Sequence, residues 1–212
     1  MVKVKICGIT RFEDLEASVS AGADFVGFVV DVPSSPRNLD HRGAARLIST
    51  VPSSVKSVVV TVLRSPGDLR SIMELCADYV QLHGEPNLLM GLAEALHAEK
   101  AIGAVNARLP NALELALEYS KLFGMILVDS LRDNGLGGSG EAHDWGLSRI
   151  MRDRLQKPLI LAGGLTPDNV ATAVKIVNPY AVDVSTGVEA SPGIKDPEKL
   201  SRFIKRAKEV RV

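Results

Sequence analysis

Short apolar runs rich in β-branched residues recur along the chain. Each is followed by a longer stretch whose apolar positions return every three to four residues. The runs predict strands at 3–7, 24–30, 55–62, 79–83, 100–105, 125–129, 159–162 and 181–184. The stretches between and after them predict helices at 12–21, 40–50, 67–77, 87–98, 111–120, 143–154, 166–177 and 196–209. One unit therefore occupies about 25 residues, the length of a parallel strand, a turn, a helix and a return. The alternation continues without a linker, which predicts one domain over residues 1–212. Eight units in about 200 residues predict a single-domain (β/α)8 TIM barrel, an α/β fold, with a doubly wound open sheet as the alternative.

Charge and composition narrow the function classes. Lysine plus arginine number 25 and aspartate plus glutamate 25, for a formal net charge of +0, and no basic run marks a nucleic-acid surface. With 46% hydrophobic and 24% charged residues the chain sits among folded globular proteins, away from disordered ones. The longest apolar runs, 25–30 and 58–63, are far shorter than the ~20 residues of a membrane helix, so no membrane partner is expected. Charges alternate with apolar residues from Met1 to Lys5 where a secretory signal would be continuously apolar, and the expected location is cytoplasmic. Two cysteines are too few for a disulfide scaffold. The 4 histidines form no i, i+4 pair or carboxylate cluster, and no metal is expected.

In such a barrel the chemistry sits where strands end and βα loops begin. Those segments here are Cys7-Gly8-Ile9-Thr10, Pro33 to Arg37, Asp129 to Asp144, Gly163-Gly164-Leu165-Thr166 and Ser185-Thr186-Gly187. The last two predict a phosphate cradle, because Gly163, Gly164, Ser185, Thr186 and Gly187 can aim backbone N–H groups and helix N-termini at one anion. A short extra helical turn is expected after Ser185. The plainer alternative is a pair of ordinary helix caps.

Cys7 ends the first strand, which places a thiol at the barrel mouth as a base or nucleophile. Half-ionisation at pH 7 needs roughly 2 kcal/mol of local stabilisation, and the competing reading is a small buried hydrophobe. Asp129 ends the sixth strand and is positioned to face Cys7 across a substrate. To donate a proton near pH 7 its carboxyl must be raised by burial or by neighbouring negative charge; otherwise it caps a turn. Arg37 follows Pro36 and is a candidate for gripping a carboxylate in bidentate fashion, the alternative being a solvated loop charge.

Residues 135–140 match G-x-G-x-x-G, but the match does not directly follow a strand, and about 20 residues on the chain reads Leu159-Ile160-Leu161 where a ribose-binding acid belongs. A loop folding over a ligand is the better reading. Trp145 is expected to pack with that loop, and Cys76 to lie on the apolar face of helix 67–77 without a role. His83 ends the fourth strand and carries no metal signature.

Together, K-I-C-G-I-T at 5–10, S-P-R at 35–37, V-Q-L-H-G at 80–84, V-D-S at 128–130, G-G-S-G at 137–140, D-W at 144–145, A-G-G-L at 162–165 and V-D-V-S-T-G-V-E at 182–189 resemble the phosphoribosylanthranilate isomerases of tryptophan biosynthesis, in order and in spacing. The resemblance implies a cofactor-free Amadori rearrangement of N-(5-phosphoribosyl)anthranilate to 1-(2-carboxyphenylamino)-1-deoxyribulose 5-phosphate. It makes Cys7 the general base and Asp129 the general acid. It gives Arg37 the substrate carboxylate, and the backbone at Gly164, Ser185, Thr186 and Gly187 the phosphate. Two positions depart from the family: Glu141 stands where a basic residue is common, and Thr61-Val62 where an asparagine is often seen. A histidine-branch isomerase would pair two aspartates, and a binding-only barrel would lack the acid or the base. The expected partner is one small phosphorylated molecule, and the expected assembly a monomer or homodimer.

Overall fold

The computed structural model describes residues 1–92, 98–130 and 143–210. In chain order its elements are β1 (Lys3–Cys7), α1 (Phe12–Ser20), β2 (Phe25–Val30), β3 (Asn38–Leu39), α2 (His41–Ile48), β4 (Lys56–Leu63), α3 (Asp68–Met73), β5 (Tyr79–Gly84) and α4 (Pro86–Leu92). They continue with β6 (Ala101–Asn106), α5 (Ala112–Leu122), β7 (Met125–Asp129), α6 (Trp145–Arg154), β8 (Leu159–Leu161), α7 (Val170–Val177), β9 (Ala181–Val184), β10 (Glu189–Ser191), β11 (Ile194–Lys195) and α8 (Pro197–Lys208).

The parallel sheet runs β1-β9-β8-β7-β6-β5-β4-β2, and a further β1–β2 pairing closes it into an eight-stranded barrel. The alternation of side chains along each strand divides the core in two. Val4 and Ile6 of β1, Val26 and Phe28 of β2, and Val182 and Val184 of β9 face outward into the main core beneath the helices. Phe25, Val58, Val60, Ile102, Leu127, Ile160 and Ala181 face inward and fill the barrel together with Cys7. The inward face of β1 also carries Lys5, which is fully buried.

Capping fixes several helices where the sequence allows it. Asp196 accepts from the N–H groups of Glu198 and Lys199 ahead of α8, with Pro197 at the first helical position. Asp40 and Asp144 accept from Gly43 and Gly146 at the starts of α2 and α6.

Three features depart from the expectations. Helix α7 begins at Val170 instead of near 166, because Asn169 accepts from the Thr166 N–H at 2.8 Å and donates to the Gly164 carbonyl at 2.9 Å, holding 164–169 as a loop. Helix α3 stops at Met73, and Cys76 beyond it takes a left-handed conformation (φ 53) with its thiol exposed instead of on an apolar helix face. The two-residue β3 and the β10–β11 hairpin were not expected, both being too short to carry a period. The expected covering loop at 135–140 and the departure at Glu141 lie outside the described residues, as does 93–97 of the helix expected at 87–98.

Candidate active site

A cavity of about 360 Å³ opens at the carboxyl ends of the barrel strands. Cys7, Asp129 and Arg37 line it, and so do Gly163, Gly164 and the turn from Ser185 to Gly187. The candidate catalytic and binding residues singled out from the sequence therefore meet at one mouth. Its volume falls within the range of about 300–1,000 Å³ usual for small-molecule sites.

Gly8 opens the first loop with φ +74, where a side chain would run into the stem of Arg37 and lie 2.9 Å from Ser185 Oγ. The absence of that side chain lets Arg37 lie across the end of β1. The guanidinium is not a loose loop charge: it grips Glu189 with two donors, Nε at 2.7 Å and one terminal nitrogen at 2.6 Å, and the latter also donates to Thr186 Oγ1 at 3.0 Å. The other terminal nitrogen has no hydrogen-bond partner among the described residues, which leaves its N–H groups for a ligand carboxylate.

Behind this pair lies Lys195 on β11, also fully buried. Its ammonium donates to the Cys7 carbonyl oxygen at 2.6 Å and to Glu189 at 2.9 Å. Burial pulls Lys195 down despite Glu189, whereas Arg37 and Lys195 outweigh burial at Glu189 and hold its carboxyl below the usual range.

The segments expected to cradle a phosphate are shaped by close backbone approach. Gly163 (φ +83) packs against Ser130, and a Cβ there would also lie 2.9 Å from Asp129 Oδ1. Gly187 packs on the Leu165 carbonyl, pressing the loops after β8 and β9 together. The expected extra turn is present as a 3-10 helix over Thr186–Val188. It presents N–H groups at its amino end, as anion sites require.

The ionisable groups are set apart by their surroundings. Burial pushes the Cys7 thiol up, and the ammonium groups of Lys5 and Lys195 only partly offset it, so the downward shift expected of a base does not occur. Burial also raises Asp129, with help from the charge of Asp183, to about 6. His83 is lowered to about 4 by burial and by Lys5. It is therefore neutral at pH 7 and accepts at Nε2 from the Gln81 amide at 2.8 Å. The Gln81 carbonyl oxygen, buried on the same wall, has no partner among the described residues. Trp145 packs against the main core, and its indole N–H is buried and also without a partner there.

Sequence reasoning missed four of these groups: Lys5, Asp183, Glu189 and Lys195. Lys5 and Asp183 carried a signal, a charge within an apolar strand on the same face as a candidate residue. Glu189 and Lys195 sit on a short hairpin whose pattern is silent.

A closed barrel with a raised carboxyl, a thiol and glycine-lined loops around one mouth has the layout of the (β/α)8-barrel enzymes. The family model for N-(5'-phosphoribosyl)anthranilate (PRA) isomerase matches residues 4–206. A relative from Halorubrum lacusprofundi, named N-(5'-phosphoribosyl)anthranilate isomerase, is 42% identical over 214 residues, covering 98% of this chain and 97% of that protein. The solved phosphoribosyl anthranilate isomerase of Thermotoga maritima is 42% identical, covers 99% of this chain and 100% of its own, and superposes with a TM-score of 0.86. A solved isomerase of the same name in complex with reduced 1-(o-carboxyphenylamino)-1-deoxyribulose 5-phosphate is 41% identical over 99% of this chain and 100% of its own, with a TM-score of 0.82. The chain belongs to the phosphoribosylanthranilate isomerase family.

Proposed function

We propose that this protein isomerises N-(5'-phosphoribosyl)anthranilate to 1-(2-carboxyphenylamino)-1-deoxyribulose 5-phosphate in tryptophan biosynthesis, with Asp129 as general acid and Cys7 as general base. The observation that carries this reading is the meeting of a thiol and a raised carboxyl in one cavity, beside glycine-lined loops suited to a phosphate. Asp129 protonates the ring oxygen as its bond to C1 breaks and the amine lone pair forms a C=N bond. The Cys7 thiolate then removes the C2 proton, and those electrons form C1=C2 while the nitrogen regains its lone pair. Tautomerisation of the resulting enol gives the ketose, so no atom is gained or lost overall.

Arg37 receives the anthranilate carboxylate on its free terminal nitrogen. Val29, Val32, Val60 and Val62 of the same cavity supply an apolar surface suited to the aromatic ring. Gly163, Gly164, Ser185, Thr186 and Gly187 hold the phosphate. Both ends of the substrate are then anchored, which favours a reactive geometry between them. Among the described residues no helix is long and apolar enough to cross a membrane. The proposed setting is a cytoplasmic monomer or homodimer, which sedimentation distinguishes.

The test is a fluorescence assay of the loss of freshly generated phosphoribosylanthranilate, with Asp129→Asn run in parallel. Turnover in the parent and a loss of two or more orders of magnitude in the variant is the expected result. Equal rates would remove Asp129 from the chemistry, and absence of turnover in folded parent protein would remove the reaction.

A further inference from the structure

Lys5 and Asp183 form an ion pair inside the barrel. Lys5 Nζ lies 3.0 Å from Asp183 Oδ1, and the two residues are register partners on the neighbouring strands β1 and β9. Lys5 is fully buried and Asp183 nearly so. The fold does not require charge here, since Val58, Ile102, Leu127 and Ile160 fill the rest of the interior with apolar side chains. Replacing a buried ion pair by apolar residues of similar size is often neutral or stabilising. The pair therefore calls for an explanation outside stability, and its orientation supplies one.

Lys5 precedes Cys7 by two residues and shares its inward face. A Cβ on Gly27 would lie 3.2 Å from Lys5 Nζ and 3.0 Å from Cys7 Sγ, so ammonium and thiol crowd over the same glycine. The other end of the pair, the Asp183 carboxylate, lines the cavity floor together with Asp129. We propose that the Lys5–Asp183 pair is a positioning element that holds positive charge beside the base and negative charge beside the acid, so that Cys7 acts as thiolate while Asp129 keeps its proton. This deepens the proposed isomerase reading and rests on it.

The surrounding charges agree with that division. Cys7 is faced by Lys5 on its own strand, Asp183 on β9 and Lys195 on β11, and its charge is also felt by Arg37 on the loop after β2. Lys5 acts on the thiol more strongly than Asp183 does. Asp129 is faced by Asp183, by Lys5 and by the Ser130 N–H, and there Asp183 acts more strongly than Lys5. Lys5 itself stays charged, because Asp183 and Cys7 together outweigh its burial.

The test reads the thiol without substrate. In a Cys76→Ser background Cys7 is the remaining cysteine, and its alkylation by iodoacetamide is followed against pH. In Lys5→Met the alkylation midpoint should rise by about one unit or more, slowing the reaction about tenfold at pH 8, while Lys5→Arg restores the parent midpoint. Turnover in Lys5→Met should fall about 100-fold with KM changed less than about threefold, as expected for a group acting through the base. In Asp183→Asn the acidic limb of kcat/KM should move below the parent value.

If Lys5→Met does not fold, the double variant Lys5→Met with Asp183→Leu leaves no charge unpaired and carries the same measurement, with its midpoint still above the parent's. An unchanged midpoint in whichever of the two variants folds, or an unmoved acidic limb in Asp183→Asn, overturns the proposal. If the parent proves inactive on phosphoribosylanthranilate, the isomerase reading fails while the alkylation midpoint still decides whether the pair governs the thiol.

Discussion

The buried ammonium of Lys195 donates to the Cys7 carbonyl oxygen at 2.6 Å, tying the end of β1 to a hairpin that lies 188 residues away in the chain. The same ammonium binds Glu189, and Glu189 binds Arg37. The backbone of the proposed base and the side chain proposed to hold the substrate carboxylate thus share one support.

Loosening that support should affect binding more than chemistry. Glu189→Gln keeps the shape of the carboxylate and removes its charge. Losing a charged hydrogen bond of about 1.5–3 kcal/mol to Arg37 should raise KM roughly tenfold or more, with a smaller change in kcat. Glu189→Ala leaves Lys195 buried without its carboxylate and should cost about 3–5 kcal/mol in urea denaturation.

The pH profile of kcat/KM should carry a signature of inverted order. The proposed acid, Asp129, is raised by burial to about 6, while burial pushes the proposed base, Cys7, above its ordinary range. The productive form, protonated Asp129 with ionised Cys7, is then a small and constant fraction between the two values. The profile should rise to a plateau at about pH 6, an acidic limb that belongs to the acid, and fall only where the thiol titrates. Asp129→Glu with an acidic limb still at the parent position would contradict this assignment.

Asp129 should also lower stability at neutral pH. Its folded value is raised above the ordinary carboxylate value of 3.8 to about 6, so the stability it contributes is fully present below about pH 4 and is lost as the pH rises to 6. Asp129→Asn removes that dependence. The variant should exceed the parent by up to about 3 kcal/mol above pH 6, and the difference should shrink to near zero at pH 4, as followed by urea denaturation at each pH.

The loops proposed to hold the phosphate offer a separable test. A methyl group at Gly187 would land on the Leu165 carbonyl, forcing apart the loops after β8 and β9. Gly187→Ala should weaken inorganic phosphate binding about tenfold or more by calorimetry, the equivalent of about 1.4 kcal/mol. The alkylation rate of Cys7 should stay the same.

Much of the barrel was legible because its strands are apolar runs and its helices keep a clear period, as in 125–129 and 196–209. The rim was legible too, since Cys7, Asp129 and Gly163 interrupt that pattern where strands end. Less legible were the features set by single side chains. Asn169 delays α7 by folding onto its own loop, and the left-handed turn at Cys76 brings a thiol to the surface where the periodic pattern had placed it inside. The partners of the site residues were the least legible. Lys5 and Asp183 meet only through strand pairing across the closed sheet, and Glu189 meets Arg37 only after a hairpin too short to show in a pattern.

Closure by β1 also fixes when the site comes into existence during synthesis. This strand has β2 on one side and β9 on the other, so a growing chain holds its thiol on an unpaired strand edge until residues 181–184 have been made. Only when β9 docks does Lys5 find its carboxylate, and only when the hairpin follows does the Cys7 carbonyl find its ammonium. The surroundings of the first strand are thus completed by β9 and the hairpin after it, and a ribosome-bound intermediate ending before β9 would have the thiol without the surroundings proposed to make it a base.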